Sequence, residues 1–151
     1  MVTSLRPGSG GGYSGGMPKQ PTVHEAILEA EGILPGRATD DSRWQAMIRV
    51  GEFIESDPIP VCDFALKWAR RRGADLQRAL WCCLFEHLLE HHFDAALPRI
   101  RRAAHANIRV AESFSEVSTV WLLGQAARPK NVAKLKRLAR ELRQRHAFVD
   151  A

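Results

Sequence analysis

"LQRALWCCLFEHLLEHH", residues 76–92, decides the fold. It holds neither glycine nor proline, and its apolar residues recur at helical spacing. At about 100° per residue, Leu76, Leu80, Cys83, Leu84, His87 and His91 fall along one stripe. Glu86 and Glu90 occupy a neighbouring strip, and Trp81, Phe85, Leu88 and Leu89 make most of the remainder apolar again. A helix that is apolar all round belongs in the interior, so the rest of the chain is expected to wrap around it. Buried polar groups must then find partners inside the protein. On this reading Glu86, Glu90, His87, His91 and His92 form a buried hydrogen-bonded network.

Within the same stretch, His87-Leu88-Leu89-Glu90-His91 spells H-x-x-E-H, the pattern of two zinc-ligating histidines and a general base in one class of metalloprotease. A catalytic zinc also needs a third protein ligand and an open water position. Glu112 and Glu116 are candidates, but nothing in the sequence marks them out. Cys83 lies about 12 Å from His91 along the helix axis, too far to help easily. The expectation is therefore no catalytic residue, no cofactor and no metal site. His87 and His91 stand as the one pair whose chemistry would suit a metal.

The surrounding sequence reads as more helices. Thr22-Val23-His24-Glu25 is a capping box opening a helix that stops before "LPG" at 34–36. Asp40 or Asp41 caps a second through "SRWQAMIRVGEFIES", with Trp44, Ile48 and Phe53 near one face. Asp57 caps a third, with Pro58 at its first position, and Gly73 ends it after Arg70-Arg71-Arg72. Asp75 starts the central helix, and a fifth runs from about Asp94 to Ala106. A sixth spans about Arg109 to Leu123, stopped by Gly124. After Pro129, Val132, Leu135, Leu138, Ala139 and Leu142 form the inner stripe of the last. Short connections make successive helices pack antiparallel. The expected fold is all-α, a short stack of six to seven antiparallel helices in one domain over 21–151. Residues 41–72 and 75–106 have similar lengths, offset by about 34 residues, a spacing typical of helical repeats.

Residues 1–20 hold six of the eleven glycines and little to bury, so they are expected to be a disordered tail. There is no signal-peptide pattern and no run of about 20 apolar residues. Cys62, Cys82 and Cys83 make no disulfide framework. Reduced thiols, a cytoplasmic location and no membrane partner are expected. Trp44, Trp68, Trp81 and Trp121 fall on apolar faces and read as core anchors.

The net charge of +5 is concentrated at the C-terminal end. Lys130, Lys134, Arg137 and Arg145 recur on one side of the last helix, with Glu141 interrupting. Two further clusters, Arg70–Arg72 and Arg99 with Arg101 and Arg102, lie on the third and fifth helices. Aligned on one surface, the three would track phosphates. No helix-turn-helix, zinc-finger or RNA-binding signature accompanies them, and no aromatics interleave for base stacking.

"DLQRALWCCLFEHLLEHHF" (75–93), with "RWQAMIRVGEFIESDP" (43–58) and "FALKWA" (64–69), resembles a family of small, uncharacterised bacterial HEAT-like proteins. The resemblance covers roughly residues 24–125. It implies a HEAT-like stack and no particular functional residues. The first functional expectation is thus a non-catalytic helical-repeat module that binds another protein. Nucleic-acid binding through Lys130, Lys134, Arg137 and Arg145 is the alternative, and a metal-dependent hydrolase at His87 and His91 a distant third.

Overall fold

The computed structural model describes residues 15–35, 40–116 and 122–147. Among them every regular element is helical: α1 (Val23–Ile33), α2 (Asp40–Gly51), α3 (Pro58–Ala69), α4 (Ala74–Leu80), α5 (Glu86–His91), α6 (Phe93–Ala106), α7 (Ile108–Phe114) and α8 (Pro129–His146). A π-helical turn, Trp81–Phe85, joins α4 to α5 without interruption, so these segments make seven rods. A 3₁₀ turn, Gly124–Ala127, leads into α8. The all-α stack expected from the sequence is what forms.

Local chemistry sets most helix starts. The Thr22 hydroxyl accepts from the Glu25 amide at 3.2 Å, and the Glu25 carboxylate accepts from the Thr22 amide at 3.1 Å. Pro58 and Pro129 occupy first positions, where a missing N–H costs nothing. Asp57 does not cap α3; its carboxylate accepts from the Ser56 hydroxyl instead. Asn107, unremarked in the sequence, caps α7 by accepting from the Arg109 and Val110 amides at 2.9 and 3.3 Å. Asp75 lies just inside α4, where its carboxylate accepts from Trp44 Nε1 at 3.0 Å and pairs with Arg43. That bond ties α2 to α4.

The helices pack as a row and a neighbouring rod. α6 lies between α3 and α8 and touches both, while α2 packs on α1 and on the α4–π–α5 rod. Gly51 is the close-approach point: a Cβ there would sit 3.0 Å from the Cys83 carbonyl of the π-turn. The core centres on Phe85, Phe93, Phe114, Leu80, Leu84 and Leu88, all essentially inaccessible. Phe114 meets Phe85 and Trp81 edge-on, with centroids 5.0 and 5.3 Å apart.

The π-turn overturns the expected buried network. The Glu86 amide bonds to the Trp81 carbonyl five residues back, so this turn holds one residue more than an α-turn. Every position beyond it is rotated by about one residue, roughly 100°. Leu88 therefore takes the inward place that a straight helix gives His87. Leu80, Leu84, Phe85, Leu88 and Leu89 are buried, whereas Cys82, His87 and His91 are exposed. The rod has a buried side and a wet side, and its histidine pair is on the wet one.

Other boundaries also move. α2 stops at Gly51 and turns carry the chain to Ser56; α7 stops at Phe114, short of Leu123. Ile48 is 44 % exposed and does not join Trp44 and Phe53 against the core. Trp68 is buried, Trp44 and Trp81 are half-buried against the core, and Trp121 lies outside the described residues. Residues 1–14 of the expected tail lie outside them too; 15–22 are exposed and have no regular structure. Among the described residues, no helix is long and apolar enough to cross a membrane.

Candidate functional site

The strongest charge feature is the solvent side of α6 and its two flanks. Leu97, Pro98 and Arg101 face α8, and Arg99, Arg102 and Ala103 face α3. Between α3 and α6 lies an open groove of about 420 Å³, lined by Asp63, Lys67, Arg70, Arg99 and Arg102 among others. Between α6 and α8 lies a second, of about 280 Å³, lined by Arg101, Lys134, Arg137 and Glu141 with Leu97, Pro98 and Leu138. The two grooves run on either side of one exposed ridge and together present seven cations against two carboxylates. That surplus of five matches the net charge of the entire chain.

Ion pairs fix part of this face. Arg99 reaches Asp63 at 2.7 Å, Lys67 reaches Glu31 at 2.6 Å, and Arg101 Nη2 reaches both Glu141 oxygens at 3.0 and 2.9 Å. All three pairs link residues from different helices, and each is exposed enough for solvent to screen it. Arg70, Arg102, Lys134 and Arg137 make no ion pair among the described residues and face the grooves.

The structure thus joins what the sequence kept apart. Lys134 and Arg137 fall beside the α6 cluster, and Arg70 meets Arg99 and Arg102. Lys130 is exposed on the first turn of α8. Arg145 is spent internally: its Nε donates to the His105 carbonyl at 2.9 Å, and His146 donates to the Ala104 carbonyl at 2.8 Å. These contacts dock the end of α8 on the C-terminus of α6, where cations complement the helix dipole. Arg71 and Arg72 line a separate groove with Arg109 and Glu112, and Arg71 lies 5.2 Å over the Trp68 ring. Asp63 and Lys67, missed in the sequence, lie about two turns and one turn before Arg70, so the polar stripe of α3 carried the signal.

The second constellation is His87, Glu90 and His91, whose ligand atoms all lie within 4.8 Å of one another. Glu90 Oε2 is 3.2 Å from His87 Nδ1 and 3.5 Å from His91 Nε2. Glu90 is also wedged beneath Gly124, where an added Cβ would sit 2.7 Å from Glu90 Cγ. Gln125 clamps the same corner, donating to the His91 carbonyl at 2.7 Å and accepting from the Phe93 amide at 3.0 Å. Buried Asn131 donates to the Gln125 carbonyl at 2.8 Å. Glu112, one of the expected third ligands, is elsewhere, paired with Arg109 at 3.4 Å. Glu90 is drawn in between the two imidazoles, and among the described residues no further carboxylate joins this cluster.

The thiols divide by burial. Burial pushes Cys62 up to about 12, with Asp63 adding to the shift and Arg99 opposing it, and pushes Cys83 up to about 11. Neither is a poised nucleophile. Cys82 is exposed on the π-turn.

Compared with known proteins, the chain matches no family profile, no curated protein and no solved structure.

Proposed function

We propose that this protein is a non-catalytic module that binds the phosphate backbone of nucleic acid across the α3–α6–α8 face. The observation carrying this reading is the convergence of Lys67, Arg70, Arg99, Arg102, Lys134 and Arg137 on two adjoining grooves. Phosphate contacts from lysine and arginine position a protein on a duplex without reading its sequence. Neither groove is lined by an aromatic for stacking unpaired bases, so the contact proposed is with the backbone of a duplex.

A protein partner is the reading the sequence favoured first. Protein interfaces concentrate apolar and aromatic anchors at their centre. The large apolar side chains exposed among the described residues are Met17, Leu28, Ile48, Ile108 and Leu123, and none lines either groove. The geometry therefore favours the nucleic-acid reading over the HEAT-like protein-binding one.

Fluorescence anisotropy with a labelled DNA duplex and an RNA of equal length tests it, with polyglutamate as competitor. Arg70→Glu, Arg102→Glu, Lys134→Glu and Arg137→Glu are each expected to weaken binding about 3–10-fold, roughly the effect of one lost phosphate contact plus local repulsion. Arg72→Glu, in the separate groove, should leave it within about 2-fold. Polyglutamate displacing nucleic acid at equal charge concentration would point to an acidic polypeptide and overturn the proposal.

A further inference from the structure

We infer that His87, Glu90 and His91 form a binding site for one zinc-class divalent ion, independent of the basic face. The i and i+4 histidines project from one side of α5, and the π-turn places that side in solvent. Glu90 comes up between them, its Oε2 facing both imidazoles. Zinc bonds of about 2.0–2.1 Å in a tetrahedron set ligand atoms about 3.3–3.4 Å apart. The two separations to Glu90, 3.2 and 3.5 Å, bracket that edge length. The third lies within 4.8 Å, and rotation of two exposed imidazoles closes it.

The ligand set chooses the ion. Two imidazoles and one carboxylate suit Zn²⁺, Co²⁺, Ni²⁺ or Cu²⁺. Ca²⁺ needs six or more oxygens, and Mg²⁺ prefers oxygen and its own waters. Glu90 is the pre-set ligand: its Cγ and carbonyl lie so close to Gly124 that no Cβ fits between them, and the Gln125 clamp fixes the helix end that carries it. The remaining coordination position opens to water. With Glu90 ligating instead of acting as a base, the H-x-x-E-H pattern serves here as a chelate on a structural corner. Its effect is to staple the last turns of α5, whose side chains supply all three ligands, so bound metal stabilises the folded chain.

The test is a Zn²⁺ titration of the full, metal-stripped chain against a chromophoric chelator, followed by thermal unfolding with and without Zn²⁺. One Zn²⁺ per chain is expected, with a raised melting temperature. Glu90→Gln, isosteric and so safe for the half-buried position, and His91→Ala, on an exposed residue, should each weaken binding at least about 10-fold. Cys82→Ser should bind as wild type, and the Co²⁺ form should show d–d bands without a thiolate charge-transfer band. Absence of stoichiometric Zn²⁺ at about 100 µM overturns the inference. So does a His87→Ala/His91→Ala double variant, helical by circular dichroism, that binds like wild type.

Discussion

Replacing Gly124 with alanine should be among the costliest single-methyl additions in this protein. The backbone there has φ +53°, the left-handed region, which costs an L-residue about 1–2 kcal/mol. The new Cβ would also sit 2.7 Å from Glu90 Cγ and 2.8 Å from the Glu90 carbonyl oxygen. The side chain can swing away, but the carbonyl cannot do so cheaply. Gln125 holds the backbone on its far side through the His91 carbonyl and the Phe93 amide. Overpacking against a fixed neighbour adds about 1–3 kcal/mol. The expected total is about 2–5 kcal/mol, read as a lower midpoint in urea at unchanged slope. Gly32→Ala is the matched control: it lies inside α1, and an added Cβ meets no atom within 4 Å. It should stabilise by about 0.5–1 kcal/mol. A Gly124→Ala variant within about 1 kcal/mol of wild type would refute the idea that the 124–127 turn is locked onto the end of α5.

Two further outcomes follow from single contacts. Trp44→Phe removes the donor to Asp75 and should cost about 1–3 kcal/mol in urea unfolding, since the acceptor is a partly buried carboxylate. An aromatic thiol reagent at mild alkaline pH should modify Cys82 rapidly, Cys83 slowly and Cys62 only on unfolding, when all three thiols become available. Because Cys62 is held protonated in the fold, with its pKa raised from 9.0 to about 12, its contribution to stability is full below about pH 9 and is lost as pH rises towards 12.

Much of the fold was legible because local chemistry decides it. The Thr22 capping box, the proline starts of α3 and α8 and the Leu135–Leu138–Leu142 stripe carry their own instructions. The wet side of the central rod was not legible. A straight 3.6-residue period puts His87 and His91 in line with Leu80 and Leu84, and nothing in "WCCLF" announces the extra residue that rotates them outward. The choice between Asp57 and Asn107 as a cap was equally hidden, since both precede helices and only the backbone angle settles which side chain can bend back. Each basic cluster was visible, yet their convergence was not. It depends on α6 lying between α3 and α8, a tertiary fact, and the same fact diverts Arg145 to the His105 carbonyl while leaving Lys134 and Arg137 facing solvent. Gln125 in the short turn and Asn131 in the first turn of α8, both uncharged, gave no chemical signal, although they fix the corner that carries Glu90.

The most direct measurement of the central claim is the salt dependence of duplex DNA binding. A face with five surplus positive charges should neutralise about five phosphates, giving log K against log salt a slope near −4.5 and roughly a 500-fold loss from 50 to 200 mM. The combined Arg70→Glu, Arg102→Glu, Lys134→Glu and Arg137→Glu variant should flatten that slope to near zero. An unchanged slope in that variant, or a wild-type affinity indifferent to salt, would contradict the account.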